Sequence, residues 1–296
     1  MPNWLICPLV AAGAPGSCGE TGDRHFAAAG GRRQARGVGG EASWTARFEQ
    51  SFSGPVSPVR ARIWRQVYGP EYPAWADPFS YVSVTELRRF ARELRAVPGQ
   101  WLVDAGCGRG GPGLWVAAAT GARLMGIDVD ETALAAARRR ADEAGMAGRA
   151  CFRRASFGAT GLPGRSVGAV MSIDALLFAP DKPAVAAELA RIMLPGGRLV
   201  LTSWDYHSQP PGRPAQVADH RPLLEQAGFE VLGCEETQAW RGRQERTGQA
   251  LLAAAAELAA ESGGTAAQCR ARISEMNASL ASVIRRVLVI AQRGPG

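Results

Sequence analysis

From Trp101 onward the chain alternates between two hydrophobic periods, and that alternation leaves few folds open. "WLVDAG" (101–106) reads as a strand, "GLWVAAAT" (113–120) as a helix stopped by Gly121, and "RLMGID" (123–128) as a second strand. "ETALAAARRRADEAG" (131–145) follows as a helix with Ala133, Ala137, Ala141 and Ala144 along one side. "ACFRRA" (150–155), "VGAVMS" (167–172) and "RLVLTSW" (198–204) continue the strands, and "KPAVAAELARIMLPGG" (182–197) supplies a crossover helix ended by Pro195 and Gly196. "HRPLLEQAG" predicts a further helix, "FEVLGCEE" a strand, and "RVLVIAQR" (286–293) the last strand. Elements of these lengths in this order predict an α/β fold, a mostly parallel sheet with helices on both faces.

The rest of the chain differs in character. Residues 1–42 are rich in Gly, Ala, Arg and Pro without periodicity and read as a disordered leader. Residues 43–97 read as an N-terminal helical cap, with Glu86, Leu87, Phe90, Ala91 and Leu94 on one face and Pro98-Gly99 as the stop. Residues 98–296 form the ligand-binding domain, interrupted at about 238–282 by an Ala-rich helical insertion. Its amphipathic pieces, 247–280, suit a lid or a homodimer surface, and spacing does not separate the two.

With 46% hydrophobic residues in 296, the chain can bury a sizeable core. The net charge is +7, but the arginines are scattered, as at Arg138–Arg140 and Arg285–Arg286, and no nucleic-acid partner is expected. Six cysteines without a C-x-x-C pair and three histidines suggest neither a disulfide framework nor a metal site, which fits a reducing cytoplasm. The longest apolar stretch, near 250–260, is short for a bilayer and broken by Glu257, so no membrane association is expected. The opening "MPNWLICPLV" lacks the basic n-region of a secretory signal, consistent with a cytoplasmic protein.

In such sheets ligands sit at the carboxyl ends of the strands, first of all at the first βα turn. Here that turn carries Gly106, Gly108 and Gly111, the spacing of a dinucleotide loop. Asp128, ending the second strand, is placed to hold a ribose diol. Asp104 decides against a dinucleotide, because a carboxylate two residues before the first glycine repels a pyrophosphate and attracts a cation. S-adenosylmethionine, with an ammonium, a sulfonium, an adenosine and no phosphate, meets both demands.

"LVDAGCGRGGPGLWVA", "LMGIDVDETAL", "GLPGRSVGAVMSIDALLFAPD" and "RIMLPGGRLVLTSW" resemble, in order, the motifs of class I S-adenosylmethionine-dependent methyltransferases, closest to bacterial enzymes of small, specialised metabolites. The resemblance covers roughly residues 60–293. It implies a Rossmann-like, seven-stranded sheet whose last strand inserts antiparallel. It also implies a donor pocket with Asp104, Ala105, Gly106, Cys107 and Gly108 around the methionine, Asp128 on the ribose, Val129 on the adenine, and Tyr81, Ser156, Phe157 and Ser172 beside them. Two positions depart from the family pattern: Ser156 stands where an acidic residue often meets the adenine amino group, and Gly168 where aspartate is common.

Methyl transfer is an in-line displacement that needs a base only when the acceptor must lose a proton. Asp174, after the fourth strand, and His207, after the fifth, are the candidate bases, whereas His220 opens a helix and reads as structural. Some relatives that methylate sugars or polyketides carry histidine near positions 177 and 178. Here Leu177 and Phe178 are apolar, which favours an acceptor that ionises easily or reacts at carbon. Phe178, Trp204, Tyr206 and Trp240, with Tyr81, can border a pocket for a hydrophobic or aromatic small molecule. No N/D-P-P-Y/F motif of base-methylating enzymes occurs. Three other readings stand beside methyl transfer: cyclisation or rearrangement with the donor as a fixed charge, a nicotinamide-dependent oxidoreductase, and donor binding without catalysis.

Overall fold

The structure, a computed structural model, describes residues 55–75 and 80–295, so the expected leader lies outside the described residues. Two helices precede the sheet, α1 (Pro58–Tyr68) and α2 (Val84–Glu93). Each has a sequence-coded start. The Ser57 hydroxyl accepts from the Arg60 amide ahead of Pro58 in α1, and Ser83 and Glu86 form a reciprocal capping box on α2.

The domain then runs β1 (Trp101–Ala105), α3 (Gly111–Thr120), β2 (Arg123–Asp128), α4 (Glu131–Glu143), β3 (Ala150–Arg154) and β4 (Val167–Ile173). It continues with α5 (Lys182–Ile192), β5 (Met193–Tyr206), α6 (His220–Gln226), β6 (Phe229–Glu236), the insertion helices α7 (Trp240–Ala253), α8 (Ala255–Ser262) and α9 (Ala266–Ala278), and β7 (Val283–Arg293). The seven strands form one sheet in the order β3-β2-β1-β4-β5-β7-β6. All pairings from β3 to β5 are parallel, and β7 is antiparallel to both β5 and β6. The strand order reverses between β1 and β4, where a doubly wound sheet opens its ligand crevice.

Strand alternation sorts the core into two layers. Val103, Ala105, Met125, Ile127, Leu199, Leu201, Val287 and Val289 face α5 and α6, while Leu102, Leu124, Ala169, Met171, Val200, Leu288 and Ile290 face α2 and α3. A third cluster packs α1 against the insertion, with Ile63, Trp64 and Tyr68 on Leu251, Leu258 and Ile273. The apolar faces of the insertion are thus covered by the chain's own cap. No helix among the described residues is long and apolar enough to cross a membrane.

Two boundaries differ from expectation. The crossover helix ends at Ile192 rather than at Pro195-Gly196, because Met193 is already extended (φ −81°, ψ 143°). Proline disfavours a helical residue before it, and the chain yields two residues early and joins β5. β7 begins at Val283, three residues before the apolar run that marked it, because pairing with β5 extends to Tyr206.

Candidate active site

β1 ends at Ala105 and the chain reverses at Gly106 (φ 78°), where the Gly106 and Cys107 amides both donate to the Ile127 carbonyl, at 2.8 and 3.0 Å. The loop is thereby fastened to the end of β2. Only glycine fits at 106: a Cβ there would lie 2.4 Å from the Ala175 Cβ and 3.4 Å from the Phe157 ring. Asp128 closes the loop from the other side. Its Oδ2 accepts the Gly108 amide at 2.8 Å and its Oδ1 the Asp130 amide at 3.0 Å. Each oxygen keeps a lone pair for a ligand hydroxyl. Asp130, fully buried, accepts the Thr132 and Ala133 amides and starts α4.

Asp104 is 2% exposed. Burial, and secondarily the charge of Asp128, push its carboxyl up to about 7, offset in part by a hydrogen bond from the Gly113 amide at the start of α3. Burial raises Asp128 as well. Among the described residues neither carboxylate has a cationic partner, so the crevice holds one buried and one half-buried acid that a cation would relieve and a pyrophosphate would not. The donor set therefore fits S-adenosylmethionine, whose charged methionine end Asp104 would face and whose ribose Asp128 would hold. Replacing Asp128 by alanine is expected to weaken S-adenosylhomocysteine binding by about 1.5–3 kcal/mol, the cost of charge-assisted bonds, in a protein that still folds. Titration calorimetry giving parental affinity in a folded variant would remove Asp128 from the donor site.

The other expected donor residues fall into two groups. Phe157 leans on Gly106, and Cys107 is buried in the loop, its thiol raised by burial and by Asp128 and Asp104. Ala105 and Ser172 meet each other: the Ser172 hydroxyl donates to the Ala105 carbonyl at 2.8 Å and ties β4 to β1. Ser156 accepts the Gly158 amide at 3.2 Å, so its hydroxyl shapes the turn after β3, while Val129 gives its carbonyl to Arg154 Nε at 3.0 Å. Tyr81 stands with the aromatics expected to border the acceptor. Its ring lies among the aromatics of the opposite rim, 5.6 Å from Trp64 and 6.0 Å from Trp204 between centroids.

That rim is a continuous aromatic run, since Trp204 meets Trp240 edge-on at 5.4 Å. Leu177, Tyr206 and Val283 pack with it, and Phe178 lies at its margin beneath the Arg213 guanidinium, 5.1 Å from the ring centroid. The four aromatics expected to border an acceptor are thus gathered in one place.

Asp174 stands between the two rims, in a left-handed conformation (φ 51°) that a non-glycine residue holds only at a cost. Its carboxylate accepts Arg286 Nε at 2.9 Å and Nη2 at 3.0 Å, and the Tyr81 amide at 3.2 Å. Arg286 also donates Nη1 to Glu86 and to the Thr237 hydroxyl, the latter at 3.2 Å. Burial alone would lower the Arg286 pKa, but the charges of Asp174 and Glu86 outweigh it and hold the guanidinium above its usual range. His207 is exposed, with Nε2 2.8 Å from the Ala281 carbonyl, and joins the end of β5 to the turn before β7. His220 is fully buried, its Nδ1 2.7 Å from Asp205, which also accepts Arg285 Nε at 2.7 Å.

Sequence reasoning missed Arg286 and Glu86. A signal existed: Arg286, Leu288 and Ile290 share one face of β7, and a charge at that inward register requires a buried partner.

Residues 103–201 match the family described as a methyltransferase domain. The methyltransferase GfsG of Streptomyces halstedii is 31% identical over 135 residues, which is 44% of this chain and 49% of that protein. The sterol 24-C-methyltransferase ERG6B of Gibberella zeae is 28% identical over 131 residues, 44% of this chain and 34% of its own length. The chain thus spans half or less of the length of these curated relatives. Among solved structures, the cyclase SpnF superposes with a TM-score of 0.63 at 23% identity, covering 72% of this chain and 81% of that one, a likeness of fold. Residues 103–201 thus carry a methyltransferase domain, and the glycine loop, the paired carboxylates and the antiparallel last strand agree with its class I S-adenosylmethionine-dependent type.

Proposed function

We propose that this protein transfers a methyl group from S-adenosylmethionine to a small hydrophobic or aromatic metabolite in natural-product biosynthesis. One observation carries the reading: Ala175 packs under Gly106 of the donor loop, while its neighbour Asp174 binds Tyr81 and Arg286 of the aromatic rim. Donor and acceptor sides are therefore one residue apart on the loop after β4.

When bound, S-adenosylmethionine supplies an electrophilic methyl group on a sulfonium. The chain supplies position and dryness. Asp104 and Asp128 orient the donor, and Trp204, Trp240, Tyr81 and Leu177 exclude water from the acceptor side. Neither candidate base is free. Asp174 satisfies three N–H donors, and His207 is turned to the Ala281 carbonyl. The arrangement suits an acceptor that is already a phenolate or reacts at carbon, a class in keeping with the carbon named in the sterol methyltransferase relatives.

The same lack of a free base keeps the second reading, cyclisation or rearrangement around an unreacted donor. Mass spectrometry of turnover with candidate polyketide and phenolic acceptors separates the two. Methylated product with one equivalent of S-adenosylhomocysteine is expected, and product without it would replace transfer by cyclisation. His207→Ala is expected to turn over within a few-fold of the parent; a loss of about 100-fold or more would restore His207 as the base.

A further inference from the structure

The aromatic run on the acceptor side is closed upon itself. Trp64, Tyr81, Trp204 and Trp240 meet in sequence at 5.6, 6.0 and 5.4 Å between centroids, the spacing of rings in contact. An acceptor reaches their faces only if a neighbouring part moves.

The segment between β5 and α6, residues 207–219, is built to move as one body. It forms no helix or strand, and a side chain of its own holds it together. Gln209 Nε2 donates to the carbonyls of Pro210, Arg213 and Pro214 at 3.1, 2.9 and 3.1 Å, and its Oε1 accepts the Gln216 amide at 3.0 Å. The two ends are drawn together, since the Tyr206 amide donates to the Val217 carbonyl at 2.9 Å. This is the construction of an Ω-loop. The segment also reaches the aromatic rim. Its Arg213 lies over Phe178 at 5.1 Å, and burial raises the phenols of Tyr81 and Tyr206 while the Arg213 charge is among those opposing the rise in both.

Two side chains fasten the segment across to the loop after β4. Gln216 Nε2 donates to the Leu177 carbonyl at 2.9 Å. Lys182, 3% exposed in the first turn of α5, donates Nζ to the carbonyls of Leu177 and Ala179 at 3.5 and 3.2 Å, and most closely to that of Ala215 on the segment. This ammonium is buried at the positive end of a helix and forms no ion pair among the described residues. The charged groups around it are occupied elsewhere. On α5, Asp181 accepts the Ala184 amide and Glu188 is taken by Thr160 and Arg191. Asp174 in the loop after β4 is taken by Arg286, Asp219 on the segment by Arg221, and His220 of α6 by Asp205. Three carbonyls therefore hold a charge that water would solvate better, and opening the segment would return that charge to water.

We propose that residues 207–219 are a lid over the acceptor side and that Lys182 is its latch, a positioning residue that governs when the aromatic rim opens. That this side is the acceptor's rests on the methyltransferase reading above, whereas the opening does not.

The latch gives the lid a pH dependence of definite sign. Burial pulls the Lys182 ammonium down to about 8, against 10.5 for an ordinary lysine. The closed lid thus binds this proton less tightly than the open one. The open population is expected to be largest below pH 8, to fall up to about tenfold for each unit between 8 and 10.5, and to be constant above that.

Methyl relaxation dispersion reads the opening, on the full chain saturated with S-adenosylhomocysteine and labelled at Ala, Leu and Val, between pH 7 and 10. The methyls of Ala215, Val217 and Ala218 on the lid and of Leu177 and Val283 at the rim are expected to share one exchange rate, while Val103 and Leu199 in the sheet show none. The open population is expected to fall about tenfold or more from pH 8 to 10 in the parent, and to stay within about twofold in Lys182→Met. Gln216→Leu cuts the other tie and keeps the lysine. It is expected to raise the open population about threefold or more and to preserve the pH dependence. No exchange at any pH, or lid methyls that exchange without Val283, would overturn the lid. An open population independent of pH in the parent, or an equal fall in Lys182→Met, would overturn the latch. Failure of S-adenosylhomocysteine to bind would overturn the methyltransferase reading, and the same measurement on the free chain would still decide the lid.

Discussion

Arg286→Met is expected to lower the unfolding free energy by about 3–5 kcal/mol, the cost of leaving buried carboxylates without their counter-charge. The Arg286 side chain is 2% exposed, and Asp174 and Glu86 are 7% and 11% exposed. Methionine fills comparable length but leaves both acids facing each other in a low-dielectric site. The three groups come from different layers: Glu86 from the cap helix α2, Asp174 from the loop after β4, and Arg286 from β7. Their loss therefore loosens the cap on the sheet rather than one element alone. Chemical denaturation measures the change. The triple variant Glu86→Gln, Asp174→Asn, Arg286→Met is expected to recover more than half of it, because neutral amides leave no unpaired charge. A single Arg286→Met variant within 1 kcal/mol of the parent would show that water reaches the triad and that the cap is not held by it.

The triad also marks where the sequence stopped being informative. Order and type of the elements were legible from Trp101 to Arg293, because strand and helix periods are local and the turns between them carry a glycine or a capping aspartate, as at Gly121 after α3, Asp130 before α4 and Asp181 before α5. The glycine loop was legible for the same reason: Asp104, Gly106, Gly108 and Asp128 lie within one βαβ unit. The acceptor side was legible only as a set of aromatics. Their meeting depends on contacts between residues as distant as Trp64 and Trp204, or Glu86 and Arg286, which no local period encodes. Asp174 shows the consequence. Its place beside the methyl group was read from its position after β4, but the arginine that takes both of its oxygens comes from the last strand, 112 residues away. Tyr81 is a second case, since its ring meets Trp64 and Trp204 while its backbone amide goes to Asp174, contacts that no local period encodes.

Donor affinity is expected to rise with pH up to about 7 and then level off, through Asp104. In the free protein burial and the charge of Asp128 push the Asp104 carboxyl up to about 7, against 3.8 for an ordinary aspartate. A donor with its ammonium on this side binds the ionised form, so below pH 7 each unit of acid is expected to weaken S-adenosylmethionine up to tenfold, with one proton released on binding. Stability moves the opposite way. The folded chain holds this proton more tightly than the unfolded one, so the contribution of Asp104 is least unfavourable below pH 4. It worsens by a few kcal/mol as pH rises from 4 to 7, and is constant above that. Asp104→Asn separates the two uses of the side chain. Asparagine keeps an oxygen for the Gly113 amide and so keeps the start of α3, but it carries no charge for the ligand. The variant is expected to lose the pH dependence of donor binding between 5 and 7 and to bind weakly at every pH, while its stability becomes flat over the same interval. Calorimetry in buffers of different ionisation enthalpy counts the released proton directly. A parental pH profile in Asp104→Asn would show that this carboxyl serves α3 alone, and that the ammonium is held elsewhere in the loop.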